Sequence, residues 1–196
     1  MTIRGPYRQI QEMMGAVHPA LSFGAVIVKA ERSSIDAFQC EFDYLCRTLR
    51  RLGSRSEDVE DDAHDVFLVL NRKWSEFDSS RPLRPYLFGI AFRVVAARKR
   101  RQSRELPTAL EETPAEGGPE DALEAARARE LVLAALSHVP IPRRGVLVMH
   151  DIDEVPMREI VKVLSIPLFT GYSRLRKARR EFEAAVRELR KERSVP

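Results

Sequence analysis

Four aspartates and a histidine crowd the stretch EDVEDDAHDVF (57–67). Carboxylates beside an imidazole are the parts of a general acid–base pair or of a metal site. Asp58, Asp61, Asp62 and Asp65, however, recur at steps of three and four, which on a helix makes an outward acidic face rather than a convergent pocket. No nucleophile, phosphate-cradling loop or further ligand at metal spacing accompanies His64 with Asp61 or Asp65. The sequence therefore reads as carrying no catalytic residue, no metal and no cofactor. A solvated negative face suits docking against a basic protein surface.

A second stretch, RPLRPYLFGIAFRVVAARKRR (81–101), has a stiff entrance, three aromatics and a basic end. Phe88 and Phe92, four apart, read as core. Tyr86 stands at a loop–helix junction between Arg81, Arg84 and Arg93, where a ring could stack on an unpaired base. The cluster RKRR (98–101) could hold phosphates. It is equally what a helix C-terminus favours for its dipole.

The third is LSIPLFTGYSRLRKARR (164–180), a short turn entering a long basic amphipathic helix. With the preceding PMREIVKVL it makes a helix-turn-helix. Leu168, Gly171, Leu175 and Ala178 fall on the inward side. Thr170, Tyr172, Ser173, Arg174, Arg176 and Lys177 supply hydroxyls, a phenol and long cations for base edges and phosphates. An ordinary solvated helical hairpin would share this pattern.

The elements that must position these groups are all helical. Ile35, Phe38, Phe42, Leu45, Leu49 and Leu52 make one apolar stripe, closed by Gly53 as a C-cap. Ser54 or Ser56 is placed to cap a second helix, with Val59, Ala63, Val66, Phe67 and Leu70 as its buried face. FDSSRP (77–82) is turn chemistry. A third helix runs from about Leu83 to Arg101. Residues 102–125 combine three prolines, a Gly-Gly pair and an acidic excess, the composition of a linker. Helical pattern resumes near Asp121, breaks at Pro140 and Pro142, and continues through RRGVLVMHDI and then a helix with Pro156 at its first position.

The fold class expected is all-α, with two small helical domains joined by a flexible acidic linker. The boundaries are 1–34 (an extension of unassigned role), 35–102, 103–122 and 123–192. The 196 residues are 44% hydrophobic and 32% charged with net charge +4, enough apolar matter for a core, so global disorder is excluded. Cys40 and Cys46 lie outside zinc and redox spacings and fit a reducing compartment. No apolar run approaches a membrane span, and LSFGAVIVKA (21–30) lacks a cleavage site, so a cytoplasmic location without membrane insertion is expected.

The chain resembles the extracytoplasmic-function sigma factors of bacterial RNA polymerase. The residues that carry the resemblance are EDVEDDAHDVFLVLNRKWSEFDSSRPLRPYLFGIAFRVVAARKRR for sigma region 2 and LAALSHVPIPRRGVLVMHDIDEVPMREIVKVLSIPLFTGYSRLRKARREF for sigma region 4. The resemblance implies a non-catalytic subunit that brings promoter recognition and melting to core polymerase. It implies that Asp58, Asp61, Asp62 and Asp65 grip the clamp of the large subunit, with region 4 on the flap. Phe77, Asp78, Ser79, Ser80, Arg84 and Tyr86 fall where a flipped −10 base is captured. Arg93, Arg98, Arg100 and Arg101 fall on the helix beside it. Thr170, Tyr172, Ser173, Arg174, Arg176, Lys177 and Arg180 fall on the −35 reader. A dedicated anti-sigma factor is implied as a further partner.

The chain departs from the family pattern at Pro156, Ser165, Phe169 and Gly171, where a Ser or Thr cap, a glycine, a small or polar residue and a helix former are usual. A competing reading is a stand-alone helix-turn-helix regulator that binds duplex DNA without polymerase.

Overall fold

The apolar stripe from Ile35 becomes helix α1, Ser34–Leu52. Phe38, Leu45, Leu49 and Leu52 are buried along it. Gly53 ends it at φ 108°, a conformation that costs a side-chain-bearing residue and suits glycine. The Gly53 N–H donates to the Arg50 carbonyl and the Ser54 N–H to the Leu49 carbonyl, both at 3.0 Å. This pair satisfies carbonyls that a helix end leaves without partners.

The computed structural model describes residues 33–78, 81–102 and 120–193, with side chains from 126 in the last segment. The expected extension and nearly all of the expected linker lie outside the described residues. Helix α2, Val59–Arg72, follows a 3-10 turn at Ser56–Asp58. Neither Ser54 nor Ser56 caps it. Asp58 occupies the cap position without a side-chain cap bond, because its carboxylate faces Arg98 instead, 2.7 Å away. Helix α3 spans Leu83–Gln102. These three helices pack pairwise around Leu45, Val66, Leu70, Leu87 and Phe88, all fully buried. Truncating a buried Phe such as Phe88 typically costs about 3–5 kcal/mol.

Helix α4, Glu120–Ser137, leads through a turn into α5, Ile141–Leu147, which widens into a π-helical turn at Val148–Ile152. Pro142 was expected as a breaker. It sits inside the first turn of α5, where the missing N–H would have no helical partner anyway. Helix α6 is Met157–Leu164 and α7 is Leu168–Arg193. Pro156 precedes α6 rather than opening it, and its carbonyl accepts from the Glu159 and Ile160 N–H groups at 2.8 and 3.1 Å.

All elements among the described residues are helical, and none is a strand. The chain is all-α. No helix among the described residues is long and apolar enough to cross a membrane.

The two helical sets are docked on one another. Helices α4 and α5 pack against α1, and α6 packs against α3. One buried apolar cluster runs from Phe38 and Leu45 in the first set to Val146, Met157 and Ala178 in the second. Close approach is built into the backbone: a Cβ on Gly89 of α3 would lie 2.9 Å from Val163 Cγ1 of α6, and one on Gly145 of α5 would lie 2.8 Å from the Phe92 ring of α3. Tyr44 Oη donates to Asp153 Oδ2 at 2.7 Å, which ties α1 to the segment before α6.

Candidate functional site

Three surfaces hold the residues singled out by type and spacing. On α2, Asp61 and Asp65 are exposed and one turn apart, with His64 beside them. Leu68, 45% exposed, continues the same face. It went unmarked in the sequence because it sits within the apolar run VFLVL. Its offset from Val66 and Leu70 was the available signal, since those two belong to the buried stripe.

Asp62 does not share that face. It is fully buried, and Arg98 Nε approaches its Oδ1 at 2.7 Å. Burial pushes the Asp62 carboxyl above the ordinary range, opposed by Ser54 and the Arg98 charge. A step of three from Val59 and of four to Val66 puts residue 62 on the apolar stripe, which is why it turns inward. Arg98 also pairs with Asp58, so it clamps the start of α2 to α3. The three- and four-residue spacing thus joins two exposed aspartates, Asp61 and Asp65, to a half-buried one and a buried one. Among the described residues no group of three or more His, Cys, Asp or Glu is arranged to hold a metal ion.

At the second surface Trp74 stacks on Phe77, with ring centroids 5.4 Å apart and planes 20° apart. Phe77 in turn lies 4.9 Å from Tyr86. The ring ladder continues from the end of α2 across the turn to the first turn of α3. Tyr86 is half-buried, and burial, reinforced by Glu76, raises its phenol pKa. Ser79 and Ser80 lie outside the described residues. Asp78 is exposed. Arg84 is exposed but engaged: it donates to Glu41 Oε2 at 2.8 Å and lies over the Tyr44 ring at 5.1 Å.

Arg93 reaches across the junction of the two helical sets. It donates to the carbonyl of Gly89 at 2.9 Å and to that of Val163, in the last turn of α6, at 3.0 Å. A guanidinium at a helix C-terminus meets carbonyls without helical partners and the negative end of the dipole. Arg100 and Arg101 stand in solvent at the end of α3. The basic end of α3 is therefore divided, with Arg98 turned to carboxylates and the last two arginines outward.

The third surface is the helix-turn-helix. Ser165, between α6 and α7, has φ 54°. Its N–H bonds to Lys162 and that of Ile166 to Val161, the arrangement seen at Gly53 with serine in the left-handed place. That conformation costs a non-glycine residue on the order of 1–2 kcal/mol. Gly171 also has a packing reason. A Cβ there would lie 2.7 Å from Val161 Cγ1 and 2.8 Å from Met157 Sδ, so the glycine lets α6 rest on α7.

Leu175 and Ala178 are buried as expected, but Leu168 is not, at 44% exposed. Residue 168 opens α7, three residues before Gly171, where Val161 and Met157 of α6 close on the helix. Tyr172, Arg176, Lys177 and Arg180 are exposed, while Thr170, Ser173 and Arg174 are half-buried. Phe169 stands out in the sequence only as a departure from the usual residue type, yet at 82% it is the most exposed of the large apolar side chains among the described residues. With Tyr172, Ser173, Arg176 and Arg180 it lines a shallow cleft of about 540 Å³.

Residues 38–105 match the family model for sigma-70 region 2. The ECF RNA polymerase sigma factor SigW of Bacillus subtilis (strain 168) is 26% identical over 167 residues, covering 79% of this chain and 88% of its own.

The chain is similar to sigma-70 region 2 over residues 38–105 and to an extracytoplasmic-function sigma factor over most of its length.

Two solved structures share this fold. One is CnrH in complex with the cytosolic domain of CnrY, at TM-score 0.55 and 22% identity, covering 79% of this chain and 88% of that one. The other is the sigma factor RpoE in complex with the anti-sigma factor NepR from Bartonella quintana, at TM-score 0.57 and 18% identity, covering 77% and 97%. The sigma-70 region 2 match spans the three helices that carry the acidic face and the aromatic ladder.

Proposed function

We propose that this chain is a sigma factor that binds core bacterial RNA polymerase, recognises promoter DNA and assists in parting its strands. The observation that carries this reading is the sigma-70 region 2 match over residues 38–105, followed in the same chain by a helix-turn-helix whose outer face is basic. The first accounts for a polymerase subunit and the second for a reader of duplex DNA.

The roles follow the surfaces. Asp61 and Asp65, with Leu68 beside them, form the face that docks on the basic clamp of the polymerase large subunit, and the helix-turn-helix set meets the flap. Asp58 stands at the rim of the docking face, and Asp62 supports it from within. Tyr86, backed by Phe77 and Trp74, offers a ring for an unpaired base. Stacking of about 1–3 kcal/mol per base offsets the cost of unstacking it. Arg100 and Arg101 meet backbone phosphates. Thr170, Tyr172, Ser173, Arg174, Arg176, Lys177 and Arg180 face the −35 element. A further partner is an anti-sigma factor, a reading supported by two structural relatives solved with such partners or with a cytosolic partner domain.

The test is run-off transcription from genomic fragments with purified core polymerase, with and without the chain. Specific transcripts that need both support the proposal. Reversing the charge of Asp61 and Asp65 to lysine should abolish capture of core polymerase while leaving the thermal unfolding profile unchanged. Undiminished capture by that variant would refute the docking face. Tight duplex binding by the chain alone, with no transcript on adding core polymerase, would instead support the stand-alone regulator.

A further inference from the structure

Helix geometry gives each residue of α7 a bearing of about 100° per step. The buried positions Gly171, Leu175 and Ala178 centre on one side. Phe169 falls nearly opposite, on the same outer side as Tyr172, Ser173, Arg176 and Arg180; these five line one cleft that Leu175 and Arg179 extend toward the buried side. Phe169 occupies the second position of the helix, where the reading helix of such a motif meets base edges.

An apolar ring held 82% in solvent takes little part in packing the described residues. What surrounds it identifies the occupant. Residues 168–180 contain five cations and no carboxylate in sequence. Of these, Arg179 is committed to Asp151, with bonds of 2.8 and 2.6 Å. Arg176, Lys177 and Arg180 remain exposed along the outer side. A surface this basic fits a polyanion, and within the major groove the one apolar feature of a base pair is the thymine C5-methyl.

We propose that Phe169 reads a thymine methyl in the major groove, and so fixes one base of the −35 element. The inference rests on the reading of α7 as the −35 helix, and adds to it a residue outside the polar contact set. Tyr172 and Ser173 lie one turn further along the same side, and Arg176 two turns. Because α7 rises about 1.5 Å per residue, Phe169 and Arg176 are ~10 Å apart along its axis. That span covers about three base pairs at 3.4 Å each. The thymine therefore lies at one edge of the recognised bases, with the hydrogen-bonded positions to one side of it.

The test uses the full chain with core polymerase on promoter templates whose −35 region is randomised, sequencing the templates that are transcribed. Wild type should select thymine at an edge position. Phe169→Ala, a change at an exposed site, should lose that preference and keep the others. Replacing the selected thymine by deoxyuridine removes only the methyl, and should lower wild-type transcription about fourfold, the factor expected for one buried methyl-sized group. It should leave Phe169→Ala unaffected. The same base preferences in both proteins would overturn the proposal while leaving the −35 reading standing. They would do so even if Phe169→Ala weakened binding to a protein partner, which would make the ring a protein-docking residue. A wild-type selection with no −35 preference would overturn both.

Discussion

Arg144, on α5, donates from Nη1 to the carbonyl of Leu52, the last residue of α1, at 2.7 Å. Its Nε and Nη2 donate to the carbonyls of Val139 and Ser137 at 2.9 and 2.8 Å. One buried cation thus closes the C-terminal ends of α1 and α4, which belong to the two different helical sets. Among the described residues it meets no carboxylate there. Its partners are carbonyls that helices leave unpaired, at the negative ends of two dipoles. Burial pushes its pKa down to about 10, and the group stays charged at neutral pH.

Arg144→Met is therefore expected to destabilise the fold by about 3 kcal/mol, since it strands carbonyls whose bonds to a charged donor are each worth about 1.5–3 kcal/mol. Arg144→Lys should recover little, because a single ammonium cannot reproduce a planar fork that reaches three acceptors. Urea unfolding of the three proteins checks this. Equal midpoints for wild type and the methionine variant would contradict it.

Arg98 and Asp62 form a partly buried pair with unequal sides: Asp62 is fully covered and Arg98 about a quarter exposed. Arg98→Ala leaves a buried carboxylate without its cation, and should cost about 3 kcal/mol or more. Removing Asp62 as well should recover a large part of that loss. The double-mutant cycle, followed by thermal unfolding, distinguishes this supporting role from contact with DNA, which would leave stability unmoved.

Gly171→Ala sets two effects against each other. Alanine is the better helix former by about 1 kcal/mol, but its Cβ would run into Val161 and Met157. Overpacking of this kind costs about 1–3 kcal/mol, and Val161 is β-branched and stiff. The expected outcome is a melting temperature lowered by a few degrees. A raised value would show that α6 moves aside freely.

Asp153 gives a pH signature. Burial raises its pKa above the ordinary 3.8, against the opposing hydrogen bond from Tyr44 and the charge of Arg51. Between those two values the folded state holds a proton that the unfolded state has released. Its contribution to stability is therefore greatest at low pH and falls as pH rises through the raised value. Asp153→Asn lacks this dependence. The stability difference, wild type minus variant, should be larger near pH 3.5 than at pH 7, as measured by chemical unfolding at each pH. A difference independent of pH would contradict the assignment.

How much could be seen in advance differed between elements for physical reasons. The helix α1 and its glycine cap were legible because both depend on neighbours within five residues. The same holds for the buried Leu175 and Ala178 of α7. Asp62 was misplaced because charge suggested solvent while periodicity put it on the inner stripe, and only Arg98, 36 positions later, made burial tolerable. Leu168 erred the other way, since an apolar residue in phase was assumed to find cover. Phe169 was visible as an odd residue, but its exposure depended on where α6 stops.

The amino-acid sequence alone determined the helices, their stripes, the turn between α6 and α7 and the sigma-factor likeness. The helices, stripes and turn rest on repeats of three and four or on short-range backbone chemistry, and the likeness on the order of the matching stretches along the chain. Only tertiary structure decided that Arg144, one of two arginines opening the helical stretch RRGVLVMHDI, would be buried on the end of α1. It likewise decided that Arg93 would hold the last turn of α6 and that Tyr44 would bond Asp153. Those contacts join residues 70 to 109 positions apart. Local periodicity says which side of a helix is apolar. Which carbonyl or carboxylate lies opposite a given cation depends on how distant helices cross.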